Sequence, residues 1–404
     1  MPSIDLRSDT VTRPTPEMME CLAHAELGDD GREGDPTVRR LEELAAARMG
    51  KPAGLFVPSG TMGNLLSILA HTDRAGEVLA EASSHIFRSE LGGVAVVAGL
   101  FPVGVPGQRG AMDLDLLGQR LRVPRLKPNA LGSSLVCLET THNAAGGAVL
   151  PLRHMAGVHR LASERGVPVH LDGARIFNAA VALGIEAREI ASHAESVSFC
   201  VSKGLSAPVG SIIAGSRDFI ERARGFRRLL GGTMRQAGLL AACAIVAIER
   251  MVARLKDDHE TARALAHGLH KIDTSLTDPH AVETNIVVVN LPAREDSAGR
   301  WINALHERGV LTASPGPNVL RLVTHRHIGR MYLYTTPHVM LDDLLTQPIG
   351  QGDTFSNANT IILMGRTRHN GRMGRALAIT KHRGSAHGDE IRPYRITEKG
   401  LVFD

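Results

Sequence analysis

Short apolar runs alternating with stretches of helical period constrain this chain more than any other feature. Leu55–Val57, Leu135–Leu138, Val167–Leu171 and Val197–Val201 are bounded by glycine, proline, serine or acidic residues. This is how a strand buried on both faces is written. The stretches 155–165 and 236–255 carry apolar residues at helical spacing. Strand then helix, repeated, predicts an α/β protein with a largely parallel sheet.

The 404 residues suggest two to three domains at roughly 150 residues each. After the long helical stretch and before the strand-like Thr284–Asn290 the chain has a natural break. The reading is a large domain over 1–255, with the N-terminal arm included, and a smaller C-terminal α/β domain over 256–328. Residues 329–404 then form a tail of different character. All three tyrosines, Tyr332, Tyr334 and Tyr394, fall in that tail, where two apolar runs flank a basic, glycine-containing turn and predict a β-rich hairpin.

Charge and cysteine content exclude several classes. With 46 Lys and Arg against 42 Asp and Glu, the net charge of +4 is too small to expect nucleic acid or a membrane surface as the main partner. Cys21, Cys137, Cys200 and Cys243 are far apart, and no metal-ligand spacing is seen, so neither a disulfide scaffold nor a metal site is expected. The early charges Asp5, Arg7, Asp9 and Arg13 do not fit a signal peptide, and no apolar run approaches the ~18 residues of a membrane span. A cytoplasmic location is expected.

Several residues can do chemistry. Asp172, in HLDGAR, ends an apolar run, where open α/β sheets bind ligands, although a carboxylate there can also cap the next helix. Lys203 ends the next such run, SVSFCVSK, 31 residues on, which is the length of one crossover. An acid able to pair with a pyridinium nitrogen and an amine able to form a Schiff base are what pyridoxal 5'-phosphate requires. Ser59, Gly60 and Thr61 form a small-residue turn between a strand and a helix start, suited to a phosphate, and no P-loop pattern competes with it. His85 and Phe87 are the ring-stacking candidates, since this region has no tyrosine. His85 and His142 are the residues that could move a proton near neutrality. Arg321, between apolar neighbours, reads as a carboxylate clamp or as the exposed member of an alternating strand.

Seven motifs, IDLRSDTVTRPT, DPTVRRLE, FVPSGTMGN, SSHIF, HLDGAR, SFCVSKGL and GGTMRQAG, run in order through the first 327 residues. Together they resemble the low-specificity L-threonine aldolase family of fold-type I pyridoxal phosphate enzymes. The resemblance implies a transferase-like large domain and retro-aldol cleavage of L-threonine, L-allo-threonine and related β-hydroxy-α-amino acids to glycine and an aldehyde. It makes Lys203 the Schiff-base lysine, Asp172 the pyridinium partner, His85 the stacking residue, and Gly60 with Thr61 the phosphate cradle. It places Ser8, Arg175 and Arg321 at the substrate carboxylate and His142 near the substrate hydroxyl. Arg228 and Arg235 would serve the phosphate, Arg235 from a neighbouring subunit of a homodimer or homotetramer with shared active sites. Arg32 stands where the family pattern has a tyrosine, which leaves substrate preference open. Two other readings remain: a pyridoxal phosphate lyase of the β-elimination type, and an inactive fusion or regulatory protein. Residues from about 331 to 404 resemble the C-terminal strands of KaiC-like RecA-type ATPases, with the phosphate-binding loop of that domain missing.

Overall fold

The computed structural model describes residues 4–122, 131–293, 297–328, 360–369, 372–382, 392–397 and 400–403. Two compact units divide the chain, residues 1–328 and 329–404.

The first unit is organised by a seven-stranded sheet. Its strands in chain order are β1 (Ala53–Val57), β2 (Glu77–Glu81), β3 (Phe101–Val105), β4 (Ser133–Glu139), β5 (Val169–Asp172), β6 (Ser196–Cys200) and β7 (Ser211–Gly215). Their spatial order is β1-β7-β6-β5-β4-β2-β3. Only β7 runs antiparallel to its neighbours. All four apolar runs named above lie in this sheet, as β1, β4, β5 and β6 or their ends.

Helices cover both faces. In chain order they include α1 (Pro16–Ala23), α2 (Pro36–Met49), α3 (Gly60–His71), α4 (Leu152–Ser163), α5 (Ile176–Leu183), α6 (Arg217–Leu229), α7 (Gly238–Arg250) and α8 (Leu255–Ile272). Helix α2 shows why such segments form where they do: Asp35 caps it through the amides of Thr37 and Val38, Pro36 is pre-set for the first turn, and Gly50 ends it at φ 61°. The side chains of Leu41, Ala45 and Met49 share one face and enter the main core with Phe56, Val197 and Ile212.

A second, separate core lies beneath α8, where Ala262 and Ala266 meet Val287, Val289, Leu320 and Leu322. These last four belong to a three-stranded antiparallel sheet of β8 (Ile286–Asn290), β9 (Ala313–Gly316) and β10 (Val319–Val323). The N-terminal arm joins it, since the Val323 amide donates to the Leu6 carbonyl and Ile4–Asp5 pairs with Val310–Leu311.

The second unit holds a four-stranded antiparallel sheet, β11 (Thr360–His369), β12 (Arg372–His382), β13 (Arg392–Thr397) and β14 (Gly400–Phe403). The predicted hairpin corresponds to β11 and β12, paired from His369 with Arg372 outward. Tyr332 and Tyr334 lie outside the described residues. Among the described residues no helix is long and apolar enough to cross a membrane.

Candidate active site

Parallel strands deliver their carboxyl ends to one edge of the sheet, and the candidate residues collect there. Asp172 is the last residue of β5 and is 4% exposed. It lies in register with Ser198 of the neighbouring β6, about 5 Å away across the ladder. Lys203 follows three residues after the end of β6, and its carbonyl accepts from Thr12 Oγ1 at 2.8 Å. That bond draws the N-terminal arm across the lysine. Asp172 and Lys203 therefore follow the carboxyl ends of adjacent strands, and the Lys203 charge acts on the nearby Asp9.

On the Asp172 side, Oδ2 accepts from Asn64 Nδ2 at 2.8 Å and Oδ1 accepts from the Ala174 amide at 3.0 Å. The aspartate thus shapes the turn leading into α5 without capping it, since Arg175 is the N-cap residue. Asn64 Nδ2 also donates to Glu90 Oε1 at 2.9 Å, and the same oxygen lies 2.9 Å from His85 Nδ1. His85, Glu90 and Asp172 each offer one ligand-type atom within 4.8 Å of the others. The His85 imidazole keeps 32% of its side chain exposed while Glu90 keeps 5%. The bond to Glu90 outweighs burial and raises the pKa of His85; burial raises that of Glu90. The His85 amide is fixed by Glu139 Oε2 at 2.7 Å.

On the opposite side, Arg175 forms a two-pronged ion pair with Asp9: Nε to Oδ2 at 2.7 Å and Nη2 to Oδ1 at 2.8 Å. Asn285 Nδ2 adds a third donor at 3.2 Å. Burial alone would push the Asp9 carboxyl up, but Arg175, Lys203 and Asn285 hold it well below the usual carboxylate range. Arg321, in β10, donates Nη1 to Asn143 Oδ1 at 2.9 Å and reaches the Arg7 carbonyl at 3.4 Å. Burial, and then the neighbouring Arg175 charge, lower its pKa. Ser8, half-buried beside Arg7, accepts from the Thr10 amide. Ser8, Arg175 and Arg321 are thereby tied to one corner through Asp9, Arg7 and Asn143.

The turn after β1 completes the edge. Ser59 caps α3 through the Met62 amide, leaving the first turn of the helix at the exposed Ser59 and Thr61. A Cβ on Gly60 would stand 2.9 Å from Cys200 Sγ, so only glycine lets this backbone lie so close to β6. Arg228 is exposed near the end of α6, and Arg235 is exposed and paired with Asp29 at 3.1 Å. Neither is held by the residues of this edge described above.

His142 is buried. It is 0% exposed, its Nδ1 accepts from the Ala145 amide, and its Nε2 lies 3.2 Å from Glu81 and 3.7 Å from Glu139. Gly110, at φ 84°, closes over the ring, where a Cβ would come within 2.5 Å of Cγ. The imidazole therefore faces two acids, one of which also accepts from the His85 amide. Asp9, Asn64, Glu139 and Asn143 join this network without a motif of their own in the sequence, and Glu90 does so as a neighbour of His85. Polar residues within otherwise apolar or small-residue segments were the available signal.

The edge offers a helix start to an anion, a histidine and a buried acid side by side, and arginines to a carboxylate. The Beta-eliminating lyase family profile matches residues 5–292. Low-specificity L-threonine aldolase 1 of Arabidopsis thaliana is 42% identical over 352 residues, covering 86% of this chain and 98% of the relative. Low specificity L-threonine aldolase of Escherichia coli strain K12 is 39% identical over 332 residues, covering 82% and 96%. Among solved structures, the Leishmania major threonine aldolase superposes with a TM-score of 0.67 at 17% identity, over 80% of this chain and 94% of that one.

Proposed function

Because this chain belongs to the Beta-eliminating lyase family, we propose that it is a pyridoxal phosphate-dependent L-threonine aldolase, cleaving β-hydroxy-α-amino acids to glycine and an aldehyde. The observation that carries the reading is the convergence of Asp172, Lys203 and the capped start of α3 on one sheet edge, beside Arg175 and Arg321. The threonine aldolase relatives, matched over nearly their whole length, support it.

The residues fit the cofactor. A buried acid on the β5 end suits a pyridinium nitrogen, a part-exposed imidazole beside it suits the ring face, and the start of α3 at Gly60 and Thr61 suits a phosphate. Bound there, pyridoxal phosphate supplies an aldehyde that condenses with amines and a protonated ring that accepts the electron pair released at Cα.

Each protein group then has a defined task. Lys203 Nζ would hold the cofactor through its aldehyde, the same group that would supply the electrophile for a substrate amine. Arg321, Ser8 and the remaining Nη1 of Arg175 orient the substrate carboxylate, while Asp9 keeps the Arg175 plane from turning. His85, or a water held by it, takes the proton of the β-hydroxyl, because it keeps exposed surface and the buried His142 does not. His142 faces Glu139, the acid that fixes the His85 amide, without a hydrogen bond to it.

Active sites shared between copies in a homodimer or homotetramer are part of this proposal. Leu91 is 99% exposed and Val96 80% exposed, an apolar surface beside Glu90 that a second copy would cover. Arg228 and Arg235, exposed in one protomer, are the residues assigned to the phosphate, Arg235 across that interface. Residues 329–404 are proposed as an addition the reaction does not need, and a cytoplasmic location accords with four unpaired cysteines.

The test is to incubate purified protein with threonine, allo-threonine and serine. Glycine with aldehyde supports the aldolase; pyruvate with ammonia would make it a β-eliminating lyase, and no cofactor absorbance would favour an inactive protein. Borohydride reduction should attach cofactor to the native chain and not to Lys203→Ala, and attachment to that variant would remove the lysine from its role.

A further inference from the structure

We propose that Asn64 is the positioning residue of this site, its carboxamide locking Asp172 and the His85–Glu90 pair into one fixed arrangement. The proposal rests on the reading of Asp172 and His85 as the groups that hold the cofactor ring.

Asn64 is 2% exposed, in the first turns of α3, the helix whose start is the proposed phosphate cradle. Its two ends are sorted by their neighbours. Oδ1 accepts from Ser198 Oγ at 2.7 Å and lies 3.3 Å from His170 Nε2. Nδ2 lies 2.8 Å from Asp172 Oδ2 and 2.9 Å from Glu90 Oε1. A flipped amide would set its oxygen against two carboxylates and its NH2 against two donors, so only one orientation satisfies all four partners.

The donor at His170 is itself determined. Its Nδ1 is 2.8 Å from Ser196 Oγ, which lies 2.6 Å from His71 Nε2. Burial lowers the pKa of His170 to about 3 and that of His71 to about 4, so each ring is neutral near pH 7 and has one N–H. With Asn64 Oδ1 as an acceptor, the assignment that fits these contacts runs one way: His71 to Ser196, Ser196 to His170 Nδ1, His170 Nε2 to Asn64, Asn64 to both acids. Such a chain is stiff because reversing any link reverses them all.

Asn64 therefore joins the two sides of the ring site. One amide hydrogen steadies the acid assigned to the ring nitrogen, and the other stabilises the Glu90 carboxylate that grips His85. Without it, two buried carboxyl groups would face each other with no donor between them. Glu90 would bind a proton more readily and would support a positive imidazole less well.

The experiment compares native protein with Asn64→Leu and with Ser198→Ala, which deletes one anchor of the amide without adding bulk. In cofactor-free protein, the titration of His85 is followed by NMR; the acids facing it are Glu90, Asp172 and Glu139. The native ring should titrate above its ordinary value, and Asn64→Leu should bring it down by on the order of one pH unit. Cofactor affinity, read by visible absorbance, should weaken roughly tenfold or more. Ser198→Ala should move both readouts the same way by less, and it carries the test if Asn64→Leu does not fold. Folded variants with native His85 titration and native affinity would overturn the proposal. Native protein that binds no cofactor would instead overturn the reading of the site, while the titration would still report on Asn64.

Discussion

Arg175 and Asp9 expose 6% and 0% of their side chains, so each charge is tolerable only because of the other. Asp9→Asn should cost about 3–5 kcal/mol, as expected when one partner of a buried pair is removed. It should also raise KM more than it lowers kcat, because Arg175 would lose the support that aims it. Urea unfolding and steady-state kinetics check both, and an unchanged KM would remove Arg175 from the substrate carboxylate. The pH dependence follows from the depressed Asp9 pKa: its contribution is present above the unfolded value of 3.8 and fades as pH falls below it. Asp172 and Lys203 could be read from sequence because each ends an apolar run at a predictable sheet edge. Asn64 could not be read that way, since its partners Glu90 and Asp172 lie 26 and 108 residues away and only the folded sheet assembles them.

At the scale of elements, α3 stands where its glycine allows it. A Cβ at Gly60 would meet Cys200 Sγ at 2.9 Å, and Cys200 is buried at the end of β6 with Ser211 Oγ donating to it. Gly60→Ala should push the helix start outward, costing about 1–3 kcal/mol and weakening cofactor binding in an absorbance titration. Adding Cys200→Ala should restore much of the affinity by making room. If the double variant binds no better than Gly60→Ala, the close approach to β6 is not the reason for the glycine. Strand legibility followed burial. Strands β1, β4, β5 and β6 are buried along nearly their whole length, β1 even at one edge of the sheet, whereas β3, at the other edge, has exposed Phe101, Pro102 and Gly104 and carries no such apolar run. Strand β7 is fully buried but contains serine and glycine at its ends, and its antiparallel direction depends on a turn that apolar periodicity does not encode.

The fold as a whole carries an acid sensitivity and a division of labour. His170 and His71 stay neutral in the folded protein because burial holds them near 3 and 4, whereas the unfolded chain protonates them near 6.5. Below pH 6.5 the unfolded state therefore binds protons that the fold refuses, and stability falls as pH drops through that window. His71→Asn should flatten this slope in urea unfolding between pH 7 and 4, while an unchanged slope would assign the sensitivity elsewhere. The division of labour concerns residues 329–404. Every residue given a role here precedes Ile328, the family match ends at residue 292, and the two compact units meet at 328 and 329. The tail strands β11 to β14 pair among themselves in a sheet of their own, and residues of the first unit build the cores beneath the large sheet and beneath α8. A chain ending at Ile328 should consequently fold, bind cofactor and cleave threonine within roughly threefold of the full-length rate. Loss of cofactor absorbance or of soluble protein on truncation would instead make the tail a part of the fold that the site depends on.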